Sequence, residues 1–410
     1  MPTSTTSSLL AVSFLAGAAA TASTYLLWEY YTTRFKDSKQ EKRRVELRQQ
    51  LPTDLTSWRY SDPVVSDYEK GEPGVWGLLQ ETIREHGYTL WWKAGDSVCI
   101  ADRFYQDEEN LPEMEKPSGY SFVHPARNST DQGPGTVRRL CDLEFLNDLY
   151  RPATSEKGLD VVLRVIVVKS DGRNHLDILR KTATGTASFW SNNHCLPLLD
   201  EIIVDDIVLG VFPKVSGAFR YSYGFWAKDS VGDVLEMIMQ MLEALEFIHE
   251  MNIAHRDAFQ DNFLVQWQPE SLLTNKISPS RPRVYLTDFE TAIQFPNHYK
   301  ESECLVIGLP LAGSIMNEAK YARPRAPECM SGSPYSPFKL DVWQLGISLR
   351  FFKTTLPSID RIIEDMKTAD PALRPTAGEA LDNLRRAIYA MPPESLLFAP
   401  EVLPWVPYVN

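Results

Sequence analysis

Asp257, Asn262 and Asp288 are the side chains in this 410-residue chain whose types and spacing could do chemistry. Asp257 closes the tripeptide His255-Arg256-Asp257, and Asn262 follows five residues later, just before the apolar run Phe263-Leu264-Val265. Asp288 ends another apolar run, Val284-Tyr285-Leu286-Thr287, and is followed by Phe289-Glu290. Two carboxylates and an amide are hard oxygen donors suited to a cation such as magnesium. A carboxylate held in a loop can also orient a hydroxyl nucleophile and receive its proton.

Such a set needs rigid elements around it. Val234, Leu235, Ile238, Leu242, Leu245, Phe247 and Ile248 recur at helical spacing, so 231–251 is expected to be a long helix leading into the His255 loop. Upstream, Val161 to Val168 is a β-branched run that reads as a buried strand, 174–181 reads as a helix, and 202–212 as further strands. The aromatic patch Tyr88-Thr89-Leu90-Trp91-Trp92 reads as a strand packed into a core. From Lys339 onward the pattern is mainly helical. Strands followed by helices imply an α+β, two-lobed arrangement.

With these elements in place, the chain resembles the eukaryotic protein kinase superfamily in a divergent form. His255-Arg256-Asp257 with Asn262 matches the family's catalytic loop, Asp288-Phe289 its D-F-G motif, and Ala326-Pro327-Glu328 the A-P-E end of its activation segment. Asp341-Val342-Trp343-Gln344-Leu345-Gly346 matches a D-x-W-x-x-G helix, where the Asp holds the catalytic-loop backbone. The resemblance implies a protein-kinase-like fold with a small β-rich N-lobe and a larger helical C-lobe. It implies transfer of the ATP γ-phosphoryl group to Ser/Thr hydroxyls of a protein substrate, with Mg2+ as the second cofactor. In that reading Asp257 is the catalytic carboxylate, with His255 and Arg256 beside it, and Asn262 and Asp288 hold metal and nucleotide. Arg374, within Asp370 to Thr376, would be the buried partner of Glu328.

The match thins toward the N-terminal side. Where the family places a strand Lys for the α- and β-phosphates, this sequence has Arg164, with Lys169 a second choice facing the other way by strand parity. The helix position for the ion-pairing Glu reads His175, with Asp177 nearby. Glu290 replaces the Gly of D-F-G, Phe259 stands where Ser/Thr kinases commonly place Lys, and Tyr150 to Gly158, where a phosphate-covering loop is expected, holds one Gly. Gln266 to Arg283 reads as a surface insertion, and the helical region between Asp341 and Arg374 is short for the family. These departures keep two alternatives beside the active kinase: a pseudokinase scaffold without phosphotransfer, and a small-molecule phosphotransferase. Ser302, Ser314 and Tyr321 are the hydroxyls available for phosphorylation and pairing with Arg256.

A net charge of −12 argues against a nucleic-acid-binding surface. The cysteines, Cys99, Cys141, Cys195, Cys304 and Cys329, are scattered without metal-site spacing and fit a reducing compartment. From Leu9 to Trp28 the chain carries no charge, enough to span roughly 30 Å as a helix. Tyr30, Tyr31, Arg34, Lys36, Lys39 and Lys42 follow, the flank of a membrane anchor with the large C-terminal part facing the cytosol. The expected layout is a transmembrane anchor at 9–31, a charged spacer at 32–57, an N-terminal extension at 58–147, an N-lobe at 148–213, a C-lobe at 214–390 and a tail at 391–410.

Overall fold

The computed structural model describes residues 42–61, 74–93, 98–100, 123–125, 137–139, 142–144, 147–215, 217–221, 230–266 and 282–403. The chain divides into two units, Met1–Pro52 and Thr53–Asn410. In the first, residues 42–50 are helical, and Arg48 donates to the carbonyls of Leu51 and Pro52 at 3.3 and 3.2 Å. No helix among the described residues is long and apolar enough to cross a membrane, and the run from Leu9 to Trp28 lies outside them.

The second unit opens with helices α1 (Leu55–Arg59) and α2 (Val75–Glu85), followed by a five-stranded antiparallel sheet. Its strands are β1 (Tyr88–Leu90), β2 (Tyr150–Ser155), β3 (Asp160–Val168), β4 (Asp200–Val204) and β5 (Ile207–Pro213), in the order β1-β2-β3-β5-β4. Helix α3 (Arg173–Thr182) connects β3 to β4. Central β3 is apolar on both faces because neighbours cover both, and Arg164 interrupts it at mid-strand, opposite Tyr150 on β2 and Gly210 on β5.

Two features depart from the layout read in the sequence. The edge strand β1 and the helices before it come from the stretch read as spacer and extension. Trp58 is fully buried, lies 6.4 Å from Trp76 edge-on, and Trp76 donates to the Asp148 carbonyl at 2.9 Å. The aromatic patch divides with the pleat, Trp91 inward and Trp92 outward at 62% exposure. The residues up to Gly158 are also not a phosphate-covering loop. They form β2 and its tight turn into β3, closed by the Ser155 N–H on the Leu159 carbonyl at 2.8 Å, with Gly158 at φ +78°. The connection from β1 to β2 is residues 91–149.

The helical part begins with α4 (Val231–Glu250), capped by the Ser230 hydroxyl and buried on almost every side. Short strands β6 (Ile253–Ala254) and β9 (Ile293–Gln294) pair, as do β7 (Phe263–Gln266) and β8 (Arg283–Leu286). Gln266 and Arg283 face each other across β7 and β8, so the expected insertion leaves and re-enters at paired strand ends; 267–281 lie outside the described residues. Helices α5 (Pro337–Ser348), α6 (Pro357–Met366) and α7 (Ala377–Tyr389) complete the core. Gly346 permits the α5–α6 contact, since a Cβ there would lie 2.8 Å from that of Met366. The tail folds back: Val231 donates to the Phe398 carbonyl at 2.9 Å, and Glu401–Val402 pairs with Phe352–Lys353.

Arg374 is the partner of Glu328. Its guanidinium donates to both carboxylate oxygens at 2.6 and 3.3 Å, with side chains 0% and 5% exposed, and to the carbonyls of Thr368 and Lys339. Truncating one member of a buried pair strands the other charge. Glu328→Ala should therefore lower unfolding stability by about 3–5 kcal/mol in a denaturant titration; a loss within error of zero would show that the pair does not hold this region.

Candidate active site

The His255 loop is shaped by one buried carboxylate. Asp341, on α5, is fully buried and accepts from the backbone N–H groups of His255 at 2.8 Å and Arg256 at 2.6 Å, and from His249 Nε2 at 2.9 Å. Gln344, one turn on, donates to the Arg256 carbonyl at 2.8 Å and accepts from Ala258 N–H at 2.9 Å. Arg256 needs this hold, because it sits at φ +67°, a left-handed conformation that costs a non-glycine residue about 1–3 kcal/mol. His255 then joins the loop to the Asp288 segment: its Nε2 lies 2.9 Å from the Thr287 carbonyl, and the Thr287 N–H donates to the Asn262 carbonyl at 2.9 Å.

Within this frame Asp257 is 9% exposed and its carboxylate is crowded by donors. Asn262 Nδ2 reaches the Asp257 backbone oxygen at 2.7 Å and Oδ2 at 2.6 Å. Arg323, in the segment before Ala326-Pro327-Glu328, donates to Oδ1 at 3.1 Å and Oδ2 at 3.0 Å, and to Asp261 at 2.8 Å. Its guanidinium lies 5.0 Å from the ring centroid of Phe259. The side chain that occupies the usual Lys position thus serves as a stacking surface for a cation brought from 66 residues downstream of Asp257. Sequence reading missed Arg323; the signal was the absent Lys itself, since a buried carboxylate at Asp257 still needs a cation nearby.

Arg164 and Asp288 meet directly, Nη2 to Oδ1 at 2.6 Å, and Glu290 Oε2 lies 3.5 Å from the same nitrogen. Burial alone would raise the Asp288 carboxyl, but the Arg164 charge and hydrogen bond, with His175 and His255, together outweigh it and the group is lowered to about 2. Glu290 is pushed upward by burial and the Asp288 charge, opposed by Arg164 and Arg59. Arg59 of α1 contacts Glu290 at 3.3 Å and donates to the Ser314 hydroxyl at 2.8 Å; that hydroxyl in turn donates to Glu290 at 2.8 Å. His175, on α3, is buried, and burial followed by the Arg164 charge lowers its pKa to about 3, so the ring is neutral.

Lys169 is not part of this group. Strand β3 ends at Val168, and Lys169 follows in an exposed turn at φ +58°, five residues beyond Arg164. Asp177 is exposed on the other face of α3 from His175. Arg256 donates to the carbonyls of Thr291 and Leu309 at 3.3 and 3.4 Å, and His255 is fully buried, so both build the loop while Asp257 presents the carboxylate. Of the hydroxyls proposed to pair with Arg256 after phosphorylation, Ser314 and Tyr321 are buried at 1% and 5% exposure, which closes them to a modifying enzyme; Ser302 is exposed.

The residues fit a magnesium–nucleotide ligand. Arg164 Nε is buried without a hydrogen-bond partner, an orphan donor suited to a phosphate oxygen. Asn262 turns its amide nitrogen toward Asp257, which leaves its oxygen, with Asp288, as the hard donors. Among the described residues no cluster of three or more His, Cys, Asp or Glu could hold a metal, so water and phosphate oxygens would complete a magnesium shell here.

Comparison with known proteins locates the similarity. Residues 225–358 match the family model described as the protein kinase domain, a span that includes Asp257, Asn262, Asp288, Glu328 and Asp341 but not Arg164. The chain is 31% identical over 113 residues to the serine/threonine-protein kinase ppk8 of Schizosaccharomyces pombe, covering 27% of this chain and 18% of that protein. It is 25% identical over 260 residues to the serine/threonine-protein kinase pakA of Dictyostelium discoideum, covering 60% of this chain and 19% of the relative. It is 28% identical over 131 residues to the human testis-specific serine/threonine-protein kinase 3, covering 30% of this chain and 39% of the relative. The chain thus spans well under half the length of each of these relatives.

A free histidine titrates near 6.5, whereas His175 in the fold is lowered to about 3. Between these values the unfolded chain binds the extra proton, so the stability gained from a neutral ring is complete above 6.5 and is lost as pH falls toward 3. Denaturation midpoints of His175→Gln should vary less with pH across that window than those of the wild type. Equal slopes would mean that His175 is not the buried titrating group.

Proposed function

Residues 225–358 of the chain belong to the eukaryotic protein kinase superfamily, and on that premise we propose that the protein is a magnesium- and ATP-dependent kinase acting on Ser/Thr hydroxyls of a protein. The observation that carries this reading is the tie between the two loops through Thr287, which sets Asp288 one residue beyond the Asn262 contact, while Asn262 grips Asp257. Bound magnesium–ATP would supply the transferable phosphoryl group and neutralise charge on its oxygens. Asp257 orients the acceptor hydroxyl and receives its proton. Arg164 binds phosphate through its fork, and Asn262 and Asp288 hold the metal through oxygen.

Arg323 favours a second reading, a pseudokinase. With both Asp257 oxygens engaged by Arg323 and one also by Asn262, an incoming hydroxyl must compete with a charged donor for the carboxylate. Residues 45–410 should show a magnesium-dependent rise in melting temperature with ATP, reduced by Asp288→Asn. Phosphotransfer to a mixed protein substrate should fall by about 100-fold or more in Asp257→Asn, within the range of general-base contributions. Nucleotide binding without any transfer by the wild type would select the pseudokinase, and transfer untouched by Asp257→Asn would remove Asp257 from the chemistry.

We also infer attachment to a membrane through Leu9 to Trp28, with the kinase domain on the cytosolic side, from the uncharged run and the basic residues after it. Cell fractionation should place the full chain in the membrane pellet and a variant lacking residues 1–31 in the soluble fraction. A full chain that is soluble without detergent would refute the anchor.

A further inference from the structure

His175 stands where helix α3 would supply an acid, and Glu290 stands where the metal-binding motif would end in glycine. We propose that these two departures are one rearrangement: Glu290 is the positioning carboxylate for Arg164, and through it helix α1 is a working part of the nucleotide site. The inference deepens the kinase reading and rests on it for the identity of the ligand.

An arginine that grips phosphate is best held by an acid whose oxygens are not shared with the metal. Asp288 lies closer to Arg164, at 2.6 Å through Oδ1, but in the kinase reading its carboxylate is shared with the metal. Glu290 is the other acid in contact, at 3.5 Å, and its side chain is 7% exposed. No acid reaches Arg164 from α3, since His175 faces inward there and Asp177 faces solvent.

The structure is built to accommodate Glu290. Gly313, at φ +59°, passes so close that a Cβ there would fall 2.9 Å from the Glu290 Cβ and 3.1 Å from its Oε2. Ser314, next in the chain, donates to that same oxygen from its hydroxyl at 2.8 Å and from its backbone N–H at 3.3 Å. The other oxygen takes Arg59 at 3.3 Å, and Arg59 also donates to Ser314. Glu290 thus lies between two cations, one on β3 and one on α1, with the activation segment as the third side. In this arrangement a displacement of α3 removes no charge from Arg164, whereas a displacement of α1 removes one of the two cations that hold its partner.

The test is calorimetric titration of the full chain with magnesium–ATP. Glu290→Gly restores the family's own residue, yet it should weaken binding by about tenfold or more, the scale of a lost hydrogen bond to a charged group. Adding His175→Glu to that variant should recover most of the affinity by supplying the acid from α3, a rescue that a merely structural loss would not show. Arg59→Ala should weaken binding several-fold. Binding by Glu290→Gly equal to or tighter than wild type, or no recovery in the double variant, would overturn the proposal. A second measurement needs no nucleotide: denaturation of Glu290→Gln, Arg164→Met and the pair together. Non-additive losses support the pairing and additive losses refute it, even if the wild type binds no ATP and the kinase reading falls.

Discussion

The structure depends on a carboxylate with no access to water. Asp341 takes three hydrogen bonds, two of them from consecutive backbone N–H groups, and so forces the chain through a left-handed turn at Arg256. A polar group buried in this way is tolerable because each N–H satisfies one of its oxygens. Everything around Asp257 inherits its position from that turn: the carboxylate itself, the Asn262 contact, and the His255 ring that reaches Thr287. The rigidity originates in α5, far along the chain from the loop it shapes.

A second organising principle is the redistribution of charge among fixed positions. Phe259 has no cation to offer, and Arg323 lies across its ring to reach Asp257. The helix α3 carries no acid toward β3, and the acids that meet Arg164 both come from the Asp288-Phe289-Glu290 segment. In each case the electrostatic partner persists while the element that carries it changes. Such exchange is permitted because Coulomb attraction depends on distance and burial, not on which strand or helix the group belongs to.

How far these features are legible in the sequence follows from their range. The long helix α4, the β-branched strand β3 and the apolar strands flanking the two loops are read from local periodicity, and the structure has them at nearly those limits. The Glu328–Arg374 pair is legible because each residue sits in a compact motif. Arg323 and Arg59 are not, since their roles depend on contacts across 66 and 231 residues that no local pattern encodes. Lys169 lies apart from the Arg164 group for a smaller reason: parity gives the face of a residue only while the strand lasts, and β3 ends one residue before it. The edge strand β1 escaped the N-lobe boundary because three residues of strand carry too little pattern to be assigned to a sheet that otherwise begins at Tyr150.

That remote edge strand has a kinetic consequence. Strands β2 and β3 are joined by the tight turn at 156–159 and can zip together as a local hairpin on a microsecond scale. Strand β1 must find β2 across the far longer connection 91–149, and the chain entropy lost on closure grows with the length closed. Tyr88–Leu90 should therefore dock late as the sheet assembles and leave early as it opens, uncovering the β2 edge while β3, β5 and β4 stay paired. The sheet edge at Tyr88–Leu90 is, on this account, the last part of the sheet to be built.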